Sequence, residues 1–120
     1  MSRNPLYFLT IDKASSMIRS KELSPVELTT SFLERITNVD QETLCYLEIL
    51  TESALEEARQ AENEIVSGHY RGPLHGIPLA HKDLYDTQGV RTTGQSKVFE
   101  HRVPDKDCTA ISRLKAAGAI

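Results

Sequence analysis

The residues best suited to chemistry cluster in Gly72-Pro73-Leu74-His75-Gly76-Ile77-Pro78-Leu79-Ala80-His81-Lys82-Asp83 and in the tail Gly89-Val90-Arg91-Thr92-Thr93-Gly94-Gln95-Ser96. A turn punctuated by glycine and proline feeds a short apolar run, and the run ends on Lys82 followed by Asp83. A lysine at the end of a buried strand costs free energy unless it is paired or gives up its charge. In its neutral form it can act as a general base toward a serine hydroxyl, the Ser-Lys variant of nucleophilic catalysis. That work requires a pKa pulled well below the ~10.4 of a free lysine. The same residue types also describe a strand-end lysine that points to water or pairs with Asp83, and spacing alone leaves both readings open. Asp83 could orient Lys82 or cap a loop. Thr92, Thr93 and Ser96 could line a substrate or oxyanion site, or could do ordinary turn chemistry.

Other chemistries find less support. The histidines at 69, 75, 81 and 101 give neither H-x-x-x-H nor H-E-x-x-H spacing, and Cys45 and Cys108 are remote from them, so no metal site and no cofactor are expected. Gly72-x-x-x-Gly76 lacks the Lys-Ser/Thr of a phosphate loop, and there is no G-x-G-x-x-G or G-x-S-x-G.

The elements that must position this cluster are mostly helical. Ile11, Ala14, Met17 and Ile18 share a face behind Thr10, which can cap a short first helix. Ser24-Pro25-Val26-Glu27 is a helix start, with a capping serine, proline in the first turn and Glu27 placed for a capping box. That helix should reach about Asn38. Cys45–Leu50 has the composition and length of a strand. A third helix should run from about Ser53 to Val66 and end at Gly68. Its acidic residues fit a solvated face. Ile77–Ala80 reads as a short strand covered on both faces, tolerating Pro78 only near its start. Asp107 should cap a last helix that ends at Gly118. Ala119-Ile120 then reads as the start of a further strand, so the chain is expected to be the N-terminal portion of a longer protein. The divisions are a lead-in (1–9), a mainly helical part (10–68), the motif strand and loop (72–100) and a helix entering a strand (107–120), all within one domain.

With 39% hydrophobic and 26% charged residues, the 120-residue chain has the balance of a globular protein rather than a disordered one. Its net charge of −3 disfavours nucleic acid as the main partner. No run approaches the ~20 apolar residues of a membrane span, and Met1–Pro5 shows no secretory apolar region. The two distant cysteines read as free thiols of a cytoplasmic protein.

At these same residues the chain strongly resembles the amidase signature family. The matching run is Gly72 to Asp83, then Gly89, Thr92-Thr93 and Ser96. It continues through Pro104, Asp107 and Arg113–Ile120, with Ser20–Leu28 resembling the family's second helix. The resemblance covers about residues 10–120. It implies an α/β class: the N-terminal part of an α/β/α amidase signature fold with a mixed central sheet, truncated before the sheet is complete. It also implies amide hydrolysis by a Ser–cis-Ser–Lys triad in which Lys82 matches the lysine. The implied partner is a small-molecule amide, with no nucleic acid unless the chain serves an amidotransferase, no membrane, and a possible homodimer. The family's two serines lie in a Gly/Ser-rich segment after the last helix, and no Gly-Gly-Ser-Ser-Gly-like run occurs in this sequence. The 120 residues are therefore expected to be inactive alone. Gln95 replaces a glycine common in the family. Two further readings stand beside this one: the A subunit of a tRNA-dependent amidotransferase, and a non-catalytic interaction module built on the amidase start.

Overall fold

A computed structural model describes residues 5–120. Residues 1–4 of the expected lead-in lie outside the described residues. The elements begin with a 3-10 turn at Leu6–Phe8, followed by α1 (Ile11–Arg19), α2 (Pro25–Thr43), α3 (Thr51–Val66), a second 3-10 turn at Lys97–Phe99, and α4 (Thr109–Ala116).

The helix starts follow local capping chemistry. Thr10 Oγ1 accepts from Lys13 N at 3.2 Å and opens α1. Ser24 Oγ accepts from Val26 N at 3.0 Å and Glu27 N at 3.3 Å and opens α2, with Pro25 in the first turn. α2 outruns its expected end near Asn38. It stops only where Leu44 turns left-handed and Asp40 accepts from Cys45 N at 2.6 Å. α3 starts behind Leu50, which offers no side-chain cap. Its end is a Schellman closure: Gly68 N donates to Ile65 O and His69 N to Glu64 O. α1 closes in the same way around Lys21, a non-glycine residue at φ 64°.

The core forms where these helices meet the motif. Ala14 and Ile18 of α1, Leu28 of α2 and Ile65 of α3 enclose Leu23 and Ile77. Each large aliphatic side chain so buried contributes about 1.5–3 kcal/mol. Ile77, the first residue of the apolar run, is thus fixed by the helical layer.

The expected strands, at Cys45–Leu50, at Ile77–Ala80 and beginning at Ala119-Ile120, need correction, because no strand is present among the described residues. Cys45–Leu50 is an exposed, irregular connection. Its apolar side chains lie along an open groove rather than a paired partner, and a salt bridge from Glu48 to Arg91 at 2.6 Å ties it down. Ile77–Ala80 is extended but not covered on both faces: Ile77 is buried, Pro78 and Leu79 are half-buried and Ala80 is exposed. It makes one parallel rung, with Ile120 N donating to Ile77 O at 3.0 Å and Leu79 N to Ile120 O at 2.8 Å. Pro78 is tolerated because its missing donor falls on the opposite edge from that rung. A single rung is not a sheet, so the mixed central sheet is not seen. α4 also starts differently from the expectation. Cys108 precedes it without a side-chain cap. Asp107 instead accepts from Gln88 N at 2.7 Å and from Lys115 Nζ at 2.7 Å.

Candidate functional site

Lys82 lies just beyond the rung and is exposed on the wall of an open groove of about 760 Å³. Phe32 and Ile36 of α2, Ile49 and Leu50 of the connection, and Leu79 give that groove a largely apolar lining. The Lys82 carbonyl accepts from Leu84 N at 2.7 Å and Tyr85 N at 3.1 Å, so the chain turns sharply as soon as the lysine has been presented. Lys82 forms no ion pair with Asp83 or any other described residue.

Asp83 has another task. Its carboxylate accepts from Thr93 N at 2.8 Å, from the Thr93 hydroxyl and from Gln95 N at 3.2 Å, while its carbonyl accepts from Gly94 N at 2.7 Å. The Thr93 hydroxyl, followed by its backbone N–H, holds the Asp83 carboxyl below the usual carboxylate range. Of the two roles open to Asp83, it takes the loop-capping one, and by doing so it pins residues 93–95 beside Lys82.

The hydroxyls of the tail are spent locally. Thr92 Oγ1 donates to Val90 O at 3.0 Å, Thr93 Oγ1 binds Asp83, and Ser96 Oγ accepts from Val98 N to start the second 3-10 turn. Turn chemistry is therefore the observed role for Thr92 and Ser96, while Thr93 joins the Asp83 clamp and also accepts from Gln95 N at 3.1 Å. Gly94 and Gln95 both have positive φ, 59° and 58°, and Ser96 N closes the turn onto Thr93 O at 3.1 Å. The loop base is tied by Arg102, whose guanidinium grips Asp86 through two bonds of 2.6 and 2.7 Å and whose carbonyl accepts from Thr92 N.

The charged groups at one end of the groove form a second set. Burial pushes the Glu57 carboxyl up and the His81 imidazole down. The Lys115 ammonium holds Asp107 low, with help from Gln88 N. Both cysteines are free, Cys45 exposed and Cys108 half-buried. Among the described residues no group of His, Cys, Asp or Glu side chains is placed to hold a metal ion, and no helix is long and apolar enough to cross a membrane.

A cluster that the sequence does not signal lies behind the motif. His75 is only 1% exposed. Its Nδ1 accepts from Arg71 N at 3.1 Å, and its Nε2 lies 3.0 Å from Glu64 Oε2, off the line of a good hydrogen bond. The other Glu64 oxygen takes Arg71 at 2.7 Å and Gln60 at 3.1 Å. The cluster joins the last turns of α3 to the turn that follows it, and its one local sign is a histidine between the turn residues Gly72-Pro73 and Gly76.

Comparison with known proteins places this geometry in context. A family model described as Amidase matches residues 27–120. The A subunit of the glutamyl-tRNA(Gln) amidotransferase from Moorella thermoacetica is 43% identical over 115 residues, covering 96% of this chain and 24% of that protein. Among solved structures, the native peptide amidase of Stenotrophomonas maltophilia superposes with a TM-score of 0.89 at 29% identity, covering 97% of this chain and 24% of the other. A fatty acid amide hydrolase superposes with a TM-score of 0.90 at 27% identity, covering 98% and 21%. The chain thus spans about a quarter of the length of the curated relatives it matches.

Proposed function

Because the chain belongs to the amidase family, we propose that it carries the lysine of an amide hydrolase that works through a Ser–cis-Ser–Lys triad, with Lys82 as the base. The observation that carries this reading is the place of Lys82. It falls inside the matched region, at the end of a run registered against the α4 exit and beside a loop clamped by Asp83. Neutral Lys82 takes a proton, through the bridging serine, from the nucleophilic serine. The nucleophile adds to the amide carbonyl, and the C–N bond breaks as protonated Lys82 returns the proton to the leaving amine. Water then releases the acyl group. The serines belong to a segment outside these 120 residues. A lysine base works best away from bulk water, and the apolar groove wall beside Lys82 is a surface that a covering segment would desolvate.

The test is amide hydrolysis by the protein from its native source, followed as ammonia or amine release from carboxamides. Removing a general base costs about 10²–10⁴-fold, so Lys82→Ala should lower the rate by that factor. An unchanged rate would sink the assignment. Hydrolysis by the isolated 120-residue chain would remove the need for serines outside it.

The 43% identity to an amidotransferase A subunit favours one specialisation of this chemistry. In that reading the amide is glutamine, and the ammonia released passes to a second reaction in a complex with other subunits. Glutamine hydrolysis that rises on addition of partner subunits supports it. Equal rates with and without them support a free-standing amidase.

A further inference from the structure

The lysine-bearing run has few anchors of its own. Apart from turn bonds, its backbone is held by Gly76 N on Gly118 O, Ile120 N on Ile77 O and Leu79 N on Ile120 O. All three link it to the exit of α4. At the head of that pairing the ring of His75 fills the space in front of Gly118: a Cβ at residue 118 would come within 2.5 Å of His75 Cδ2 and 3.1 Å of its Cα. Since Nδ1 accepts the Arg71 N–H, the ring is neutral and its proton sits on Nε2, facing Glu64. Charging the ring would place a second proton on Nδ1, where Arg71 N–H already points, and that bond would have to break.

We propose that His75 is the positioning residue for Lys82: its buried neutral ring, wedged between Glu64, the Arg71 N–H and Gly118, sets the register in which the lysine run lies against the α4 exit. The proposal rests on the reading of Lys82 as the base of the site. Three elements face the ring. α3 presents the Glu64 carboxylate, the turn presents the Arg71 guanidinium and the Tyr70 ring at 6.1 Å, and the α4 exit presents Gly118. The Lys115 ammonium is engaged by Asp107. Burial disfavours the charged ring, and Glu64 opposes that effect only in part.

The experiment is amide hydrogen exchange of this chain by NMR, read as protection factors at Leu79 and Ile120, with Leu28 of α2 as reference. His75→Leu keeps the volume and removes the acceptor, while His75→Asn keeps an acceptor close to Nδ1. Losing one buried hydrogen bond corresponds to about tenfold in a local opening equilibrium. His75→Leu should therefore lower protection at Leu79 and Ile120 about tenfold with Leu28 unchanged, and His75→Asn should restore most of it. Equal loss at all three amides would make His75 a global packing residue and overturn the proposal, as would no loss at all. If the leucine variant does not fold, the unsubstituted chain decides. Protection at Leu79 and Ile120 should fall with the titration of the His75 ring, before that at Leu28, and a flat or uniform response overturns the proposal. The exchange readout does not involve hydrolysis, so its failure is distinct from failure of the Lys82→Ala assay.

Discussion

Gly118→Ala should be among the most damaging single-methyl additions to this chain, and Gly68→Ala is its internal control. Both glycines sit at the left-handed position of a Schellman closure, at φ 84° and 89°. A side chain in that conformation costs roughly 1–2 kcal/mol at either site. The surroundings differ. A Cβ on Gly68 meets nothing within 4 Å, whereas one on Gly118 meets His75 Cδ2 at 2.5 Å, Cγ at 2.9 Å and Cα at 3.1 Å. The ring cannot swing away, because Arg71 N holds one edge and Glu64 faces the other, and the backbone Cα cannot move without opening the Gly76–Gly118 bond. Overpacking of this kind adds about 1–3 kcal/mol. Gly68→Ala should therefore cost about 1–2 kcal/mol, and Gly118→Ala about 2–5 kcal/mol when overpacking is added to the same backbone cost. Urea unfolding followed by circular dichroism gives both values if the dependence on denaturant is unchanged. Equal losses for the two variants would refute the claim that His75 occupies the space of a side chain at 118.

The remaining predictions concern local chemistry. Gln95 holds a left-handed conformation at φ 58°, so Gln95→Gly should gain up to about 1 kcal/mol, less whatever the freer unfolded chain takes back; a loss in urea unfolding would mean the glutamine side chain is itself anchored. Ser24→Ala should cost about 1 kcal/mol by freeing Val26 N and Glu27 N, whereas Leu50→Ser should stabilise α3 by a smaller amount, both measured as unfolding midpoints. Stability should also depend on pH in two stages. His75 is held below its ordinary value of 6.5 by burial, so its contribution is complete above about 6.5 and is lost as pH falls below it. Glu64, Asp83 and Asp107 are held below 4.5, 3.8 and 3.8, so theirs is lost only in more acidic solution, as pH falls through and below those values. Thermal midpoints at pH 7.5, 5.5 and 3.5 should show both steps, and His75→Asn should shrink the first one only.

What could be read from the sequence was what local chemistry decides. Thr10 and Ser24 open α1 and α2 because a hydroxyl beside its own helix N-terminus needs no distant partner. Gly68 and Gly118 close α3 and α4 for the same kind of reason. The expectation failed where a long-range partner wins. Asp107 has the sequence position of a cap, but Gln88 N and Lys115 draw its carboxylate away. Cys45–Leu50 has strand composition, yet with no described strand beside it the segment stays irregular. Lys82 stood out from its neighbours, and the clamp of Asp83 on Thr93 was one of two roles open to it. The Glu64–His75–Arg71 cluster was invisible because a charge on α3 has no periodic relation to a histidine in a turn.

The parallel rung between Ile77–Leu79 and Ile120 also sets an order of events during synthesis. Helix ends such as Ser24 and Gly68 can form as soon as their own turn has left the ribosome, since loop closure there is short. The rung joins positions far apart in the chain, and such contacts form only after their intervening segment has been made. Lys82 therefore emerges well before the residues that give its run a register. Until Ile120 is free of the exit tunnel, the lysine is carried on an unregistered segment, and the nascent chain passes through a stage in which its helices are closed while its site is still unbuilt.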